Sequence, residues 1–202
     1  MVRKSREDAL ATREQLLDAA EQVFRARGVG NATLEEVAAA AGMTRGAVYH
    51  HFDSKAEIFE ALVRRADMPM DAAFHEACGA VDDPLGVFRD LAVSALRHLA
   101  SSARVRKVYE IVFMRCEYTD ELAAVARRQK KDATQCLAQC GTLLDQAVAL
   151  GQLPKGTDTQ LAAQAMHAYI GGLMRDWVQA PRSFDLKATA PALIDVFLAG
   201  LT

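Results

Sequence analysis

Apolar side chains recur at helical spacing from the first turns of the chain. Leu10, Leu16, Leu17, Ala20, Val23 and Phe24 form one stripe, which stops at Gly28-Val-Gly-Asn. A short second segment opens at Thr33, where Thr-Leu-Glu-Glu reads as a capping box: the hydroxyl covers an orphan amide and Glu36 reaches back. It closes at Gly42, which suits a left-handed turn. Thr44 caps a third segment, Arg45 to His51. Ser54-Lys-Ala-Glu57, a second capping box, opens a longer helix through Ile58, Phe59 and Leu62. Further helices are predicted at 83–101, 104–116, 119–151, 157–178 and 186–201. Pro69, Pro84, Pro154, Pro181 and Pro191 read as breaks between helices. No alternating strand pattern and no internal repeat is present. The predicted fold is all-α, with short helices over residues 1–53 and a larger helical part over 54–202.

Composition agrees. Half of the 202 residues are apolar, and 24 basic side chains stand against 26 acidic ones, the balance of an ordinary soluble globular protein. Glycine and proline together number 17, which favours long helices over many short strands. The longest stretch without a formal charge, Thr159 to Met174, is too short and too polar to cross a bilayer. The first residues lack the apolar run of a secretion signal, so a cytoplasmic protein with reduced thiols is expected. Cys136 and Cys140 are four apart, on one helix face rather than in a Cys-x-x-Cys knuckle, and no zinc or catalytic role is assigned to them. No phosphate loop, nucleophile elbow, metal triad or paired-carboxylate motif stands out, so no enzyme, cofactor or metal is expected.

Residues 33–52 carry the sharpest chemistry. Two short helices around Ala41-Gly42-Met43-Thr44 match a helix-turn-helix, with small Ala38 at the crossing, Gly42 in the turn and Val48 as the plug. The second helix offers Arg45, Tyr49, His50, His51 and Lys55, with no acid before Asp53, a surface suited to a polyanion. Its first residues face base edges in such a motif, which assigns Thr44, Arg45 and Gly46 to the major groove. Arg45 is able to fork onto guanine O6 and N7, and Gly46 removes a side chain at close approach. Thr33, Tyr49, His50 and Lys55 are assigned to phosphates, and Arg3, Lys4 and Arg6 of the tail add charge. Residues 1–65 hold as many acidic as basic side chains, so affinity must come from arrangement, and two half-sites read by a dimer are expected.

The run from Thr33 to Phe59, ending in Tyr49-x-His51-Phe52-x-x-Lys55, resembles the DNA-binding domain of the TetR family of bacterial repressors. The stretches Phe113–Leu122 and Tyr169–Leu186 resemble the sensing domain of its AcrR-like multidrug efflux pump regulators, so the resemblance spans essentially the whole chain. It implies a homodimeric, ligand-released repressor, with a helix-turn-helix DNA-binding domain over residues 1–53 and a larger helical ligand-binding and dimerisation domain over 54–202. His50 departs from the aromatic residue that many members carry there.

For the sensing half, soft and aromatic side chains offer a lining for small apolar or cationic compounds: Val63, Met70, Phe74, Phe88, Leu91, Phe113, Met114, Met166, Tyr169, Ile170, Met174 and Trp177. Asp67 is matched by an acid in related multidrug repressors and would favour a cationic or donor ligand. His167 reads as a buried core histidine. Leu161, Met166, Ile170 and Leu173, with Leu193, Ile194, Phe197, Leu198 and Leu201, form stripes on the last two helices, the expected dimer contact. The alternative within the same class is a regulator of non-efflux genes that senses a metabolite or signalling molecule.

Overall fold

The computed structural model describes residues 2–66 and 81–201; Asp67, Met70, Phe74 and Cys78 lie outside them, as do the side chains of residues 2–5. The described residues form helices α1 (Val2–Arg27), α2 (Leu34–Ala40), α3 (Arg45–Tyr49), α4 (Lys55–Arg65), α5 (Pro84–Ser101), α6 (Ala103–Met114), α7 (Ala123–Ala149), α8 (Thr159–Gln179) and α9 (Leu186–Ala199). A 3₁₀ turn at Asp120–Leu122 precedes α7. They divide into two compact units, Met1–Asp67 with Lys107–Arg127, and Met68–Arg106 with Arg128–Thr202.

In the first unit α1 buries the stripe Leu16, Leu17, Ala20 and Phe24, each large side chain contributing about 1.5–3 kcal/mol by leaving water. It stops at Gly28, whose φ of +81° suits a residue without a Cβ, and where a Cβ would press on the Arg115 carbonyl at 3.3 Å. The next amide, Val29, donates to that same carbonyl at 2.8 Å, tying the loop to the end of α6. The capping box at α2 is formed in both directions between Thr33 and Glu36. Ala38 and Val48 are buried where α2 and α3 meet, and Gly42 takes φ +67° in the turn between them. Ser54 caps α4 by accepting from the Glu57 amide, but the Glu57 carboxylate reaches one residue further back and accepts from the Asp53 amide at 2.7 Å. Ile58, Phe59 and Leu62 of α4 then complete the core with Ile111, Leu122 and Val125, and Phe59 meets Phe24 edge-on at 6.3 Å.

In the second unit α5 packs chiefly along α9 and also on α8. Phe88, Leu91, Leu96 and Leu99 of α5, Met166, Met174 and Trp177 of α8, and Leu186, Ile194 and Leu198 of α9 are buried. Polar groups fix the register: the Trp177 indole donates to the Phe184 carbonyl, the Tyr169 hydroxyl donates to the Leu193 carbonyl at 3.1 Å, and Arg89 of α5 grips Asp195 of α9. That grip holds the Asp195 carboxyl below its ordinary pKa.

Several expectations are corrected. The predicted helix at 119–151 begins as the 3₁₀ turn, and α3 is two residues shorter than predicted. Pro191 is no break but lies inside α9. Proline has no amide hydrogen, so the Lys187 carbonyl four residues earlier loses its helical donor, and Arg97 Nε of α5 donates to that oxygen at 3.4 Å instead. Pro84, by contrast, occupies the first turn of α5, where no donor is lost. His167 is exposed rather than buried. The stripes on α8 and α9 also separate: Met166, Ile194 and Leu198 face the unit's own core, whereas Leu161 is 64% exposed.

Candidate nucleic-acid interface and ligand-binding residues

Helix α3 is anchored by Val48, with Ala47 half-buried beside it. Val48 is fully buried, while Thr44, Arg45, Gly46, Tyr49 and His50 are exposed. Thr44 caps the helix by accepting from the Ala47 amide, which turns the Thr44-Arg45-Gly46 edge outward. Arg45 Nη2 donates to the Tyr49 hydroxyl at 2.9 Å, and the guanidinium lies 5.3 Å from the centre of the Tyr49 ring. A second nitrogen of Arg45 is ion-paired with Glu35 of α2. The Tyr49 hydrogen bond and then the Glu35 carboxylate both favour the charged guanidinium, whose pKa is raised.

A Cβ at Gly46 would meet nothing closer than Thr44 Oγ1 at 3.8 Å. The fold itself therefore has room for a side chain there. Thr33 is exposed, but its hydroxyl and amide both engage Glu36, which sets a carboxylate beside the start of α2.

Lys55 requires a correction. Expected as a phosphate contact, it is only 8% exposed and points inward. Its Nζ donates to the Gly30 carbonyl at 2.9 Å and the Ala32 carbonyl at 3.1 Å, and pairs with Glu121 at 3.1 Å. Those partners occupy its donors, so the ammonium ties the α1–α2 loop to the 3₁₀ turn and has none left for an external anion. The loop carbonyls explain the reversal: they lack helical donors, and a lysine at the start of α4 is long enough to reach them.

The residues expected to meet a ligand fall in both units. Val63 is half-buried on the first unit's core, Phe113 is half-buried with its ring 5.4 Å from that of Tyr109, and Met114 is 37% exposed. In the second unit Phe88, Leu91, Met166, Met174 and Trp177 are buried, and Tyr169 and Ile170 are half-buried, with the Tyr169 ring stacked on Phe197. A cleft of about 480 Å³ runs between the start of α8 and the end of α9, lined by Leu161, Ala162, Ala165, Phe197, Gly200 and Leu201 with the Thr157–Asp158 corner. Leu161, Phe197 and Leu201 of the apolar stripes contribute to it, Leu161 exposed and the other two half-buried.

Glu35 is the residue that sequence reading missed. Nothing in its spacing along α2 announces a contact with α3; only the crossing of the two helices brings its carboxylate to Arg45. Arg13 was likewise unassigned, and its guanidinium lies 4.7 Å from the centre of the buried Phe52 ring. No helix among the described residues is long and apolar enough to cross a membrane, and none of their His, Cys, Asp and Glu side chains group in threes to hold a metal.

Comparison with known proteins bears on the same two regions. Residues 16–62 match the family described as bacterial regulatory proteins, tetR family, and residues 83–202 match the C-terminal region of MAATS-type transcriptional repressors. The chain is 38% identical over 200 residues to the HTH-type transcriptional regulator TtgR of Pseudomonas putida, covering 98% of this chain and 95% of that one. It superposes on NalD, the secondary repressor of the MexAB-OprM multidrug efflux pump in Pseudomonas aeruginosa, with a TM-score of 0.89 and 34% identity, over 97% of this chain and 98% of NalD. A SmeT–triclosan complex gives a TM-score of 0.80 at 34% identity, over 94% and 91% of the two chains; SmeT is the repressor of the Stenotrophomonas maltophilia efflux pump SmeDEF. With both halves matched and the helix-turn-helix formed as described, this chain belongs to the tetR family of bacterial regulatory proteins.

Proposed function

We propose that this protein is a ligand-responsive transcriptional repressor that binds a palindromic operator as a homodimer, controls a multidrug efflux pump operon in the bacterial cytoplasm, and is released by small apolar or cationic compounds. The observation that carries the reading is the geometry of α3: one buried valine, and a Thr44-Arg45-Gly46 edge with Tyr49 and His50 standing in solvent. A helix presented in this way enters the major groove with its N-terminal residues on base edges. Arg45 reads a guanine, Gly46 lets the backbone approach, and Tyr49, His50 and Thr33 hold phosphates.

One such reader binds weakly, and two related by a two-fold axis engage half-sites about 34 Å apart or a multiple of that. The exposed face of α8 and α9, with Leu161 at 64% and Val196 at 72% exposure, supplies the contact; two copies would close into a four-helix bundle whose surface matches itself. The ligand is proposed to meet Phe88, Leu91, Met166, Tyr169, Ile170, Met174 and Trp177, with Val63, Phe113, Met114 and, outside the described residues, Asp67, Met70 and Phe74. Support for an efflux role comes from the roles of NalD and SmeT as efflux-pump repressors, and for a small apolar ligand from the triclosan complex of SmeT.

Ligand binding need only alter the spacing of the two α3 helices. A coupling of about 1–3 kcal/mol weakens operator binding roughly 5- to 150-fold. Footprinting upstream of the protein's own gene, repeated with cationic dyes, antibiotics and triclosan, tests the reading. Protection of a palindrome that is lost with at least one compound is expected; protection that no compound alters overturns ligand release, and absence of any footprint overturns the repressor.

A further inference from the structure

Two of the four cysteines stand together where the function described above does not use them. Cys136 and Cys140 lie one turn apart on α7, both half-buried, outside any disulfide, and hydrogen-bonded to each other through their sulfur atoms. Helical residues four apart hold their Cβ atoms about 5–6 Å from each other, whereas a disulfide needs roughly 3.5–4.5 Å. Direct oxidation to a disulfide would therefore unwind the turn. A single soft atom inserted between the two sulfurs adds the missing length and leaves the helix intact.

Ligand number narrows the choice of that atom. Zinc takes four protein ligands in a structural site, and among the described residues no third His, Cys, Asp or Glu joins the pair in such a group. An arsenic(III) centre that already carries one carbon substituent has two positions left, and thiolate sulfur is the soft donor such a centre selects. We propose that Cys136 and Cys140 form a dithiol site for monosubstituted trivalent organoarsenicals. In the reaction R–As(OH)₂ exchanges both hydroxyls: two As–O and two S–H bonds break, two As–S bonds form, and two waters leave with the thiol protons. Arsenic stays trivalent and neither sulfur is oxidised.

The hydrogen bond shared with Cys136, and then burial, push the Cys140 thiol well above its ordinary range. At neutral pH Cys140 is consequently a poor target for reagents that require a thiolate, while the two-point exchange keeps its advantage over any single thiol.

Phenylarsine oxide added to the reduced full-length chain tests the site, read by intact mass and by counting titratable thiols. One phenylarsenic per chain, retained in excess 2-mercaptoethanol, with two of four thiols lost and both recovered on adding 2,3-dimercaptopropanol, is the expected result. Cys136→Ser and Cys140→Ser each abolish retention, and the Cys78→Ser/Cys116→Ser chain keeps it. Retention by either single variant, its loss from the Cys78→Ser/Cys116→Ser chain, or release of the adduct by monothiol alone overturns the proposal.

Discussion

Glu35 on α2 and Arg45 on α3 are ion-paired across the helix-turn-helix, so the guanidinium assigned to base reading is held by the protein's own carboxylate when no DNA is present. The same guanidinium also donates to Tyr49. Contact with a base must break the Glu35 pair, and the carboxylate adds repulsion toward the phosphates. Both partners are more than half exposed, so water screens the pair and it adds little to stability. Glu35→Gln is accordingly expected to tighten binding of operator and of unrelated DNA alike by roughly 2- to 5-fold. Arg45→Ala is expected to weaken operator binding by roughly 5- to 150-fold, the equivalent of about 1–3 kcal/mol at one base pair. Fluorescence anisotropy at several salt concentrations checks both; tighter binding by Arg45→Ala would show that the guanidinium faces away from the groove.

Gly46 separates stability from recognition. Inside the fold a Cβ at this position finds open space, and alanine is favoured over glycine in a helix by about 0.5–1 kcal/mol. Gly46→Ala is expected to leave the denaturation midpoint unchanged or slightly raised while weakening operator affinity. Unchanged affinity in a stable variant would remove the close-approach role.

Lys55 makes the opposite case. Its ammonium satisfies the Gly30 and Ala32 carbonyls from a nearly buried position. Lys55→Met leaves those acceptors unpaired at an expected cost of about 2–4 kcal/mol. Urea denaturation reads that loss. Below the unfolding transition the variant is expected to bind operator within about 2-fold of the native chain; a selective loss of affinity, with a smaller salt dependence, would return Lys55 to the phosphates.

Cys116 supplies a pH dependence. Burial pushes its thiol up to about 11 from 9.0, against a weaker opposing hydrogen bond with Tyr118. The folded state thus prefers the neutral thiol. Its contribution is fully present below pH 9 and is lost as pH rises through about 11, because only the unfolded chain ionises freely in that window. Stability followed from pH 8 to 11 should fall more steeply for the native chain than for Cys116→Ala. Parallel curves would place the thiol in water.

The fold was legible because helix signals are local. The Thr33–Glu36 box, the Thr44 and Ser54 caps and the glycine at the α2–α3 turn each depend on residues a few positions apart, and the structure forms every one of them except the return arm at Glu57. The recognition surface was largely legible for the same reason, since a five-residue helix pinned by Val48 leaves Arg45 and Tyr49 in solvent.

Chain distance set the limit of that reading. Lys55 looks like any surface cation until the carbonyls of Gly30 and Ala32, more than twenty residues earlier, are found within its reach. Pro191 looks like a helix end until Arg97, from another helix, donates to the carbonyl it leaves open. Sequence by itself determined the helices, their caps and the chemistry offered at α3, all of which rest on short-range hydrogen bonding and periodicity. Only the tertiary structure decided which charges turn inward, which apolar residues are core, and that Arg45 is held by Glu35, because each depends on electrostatic and packing partners brought together from distant parts of the chain.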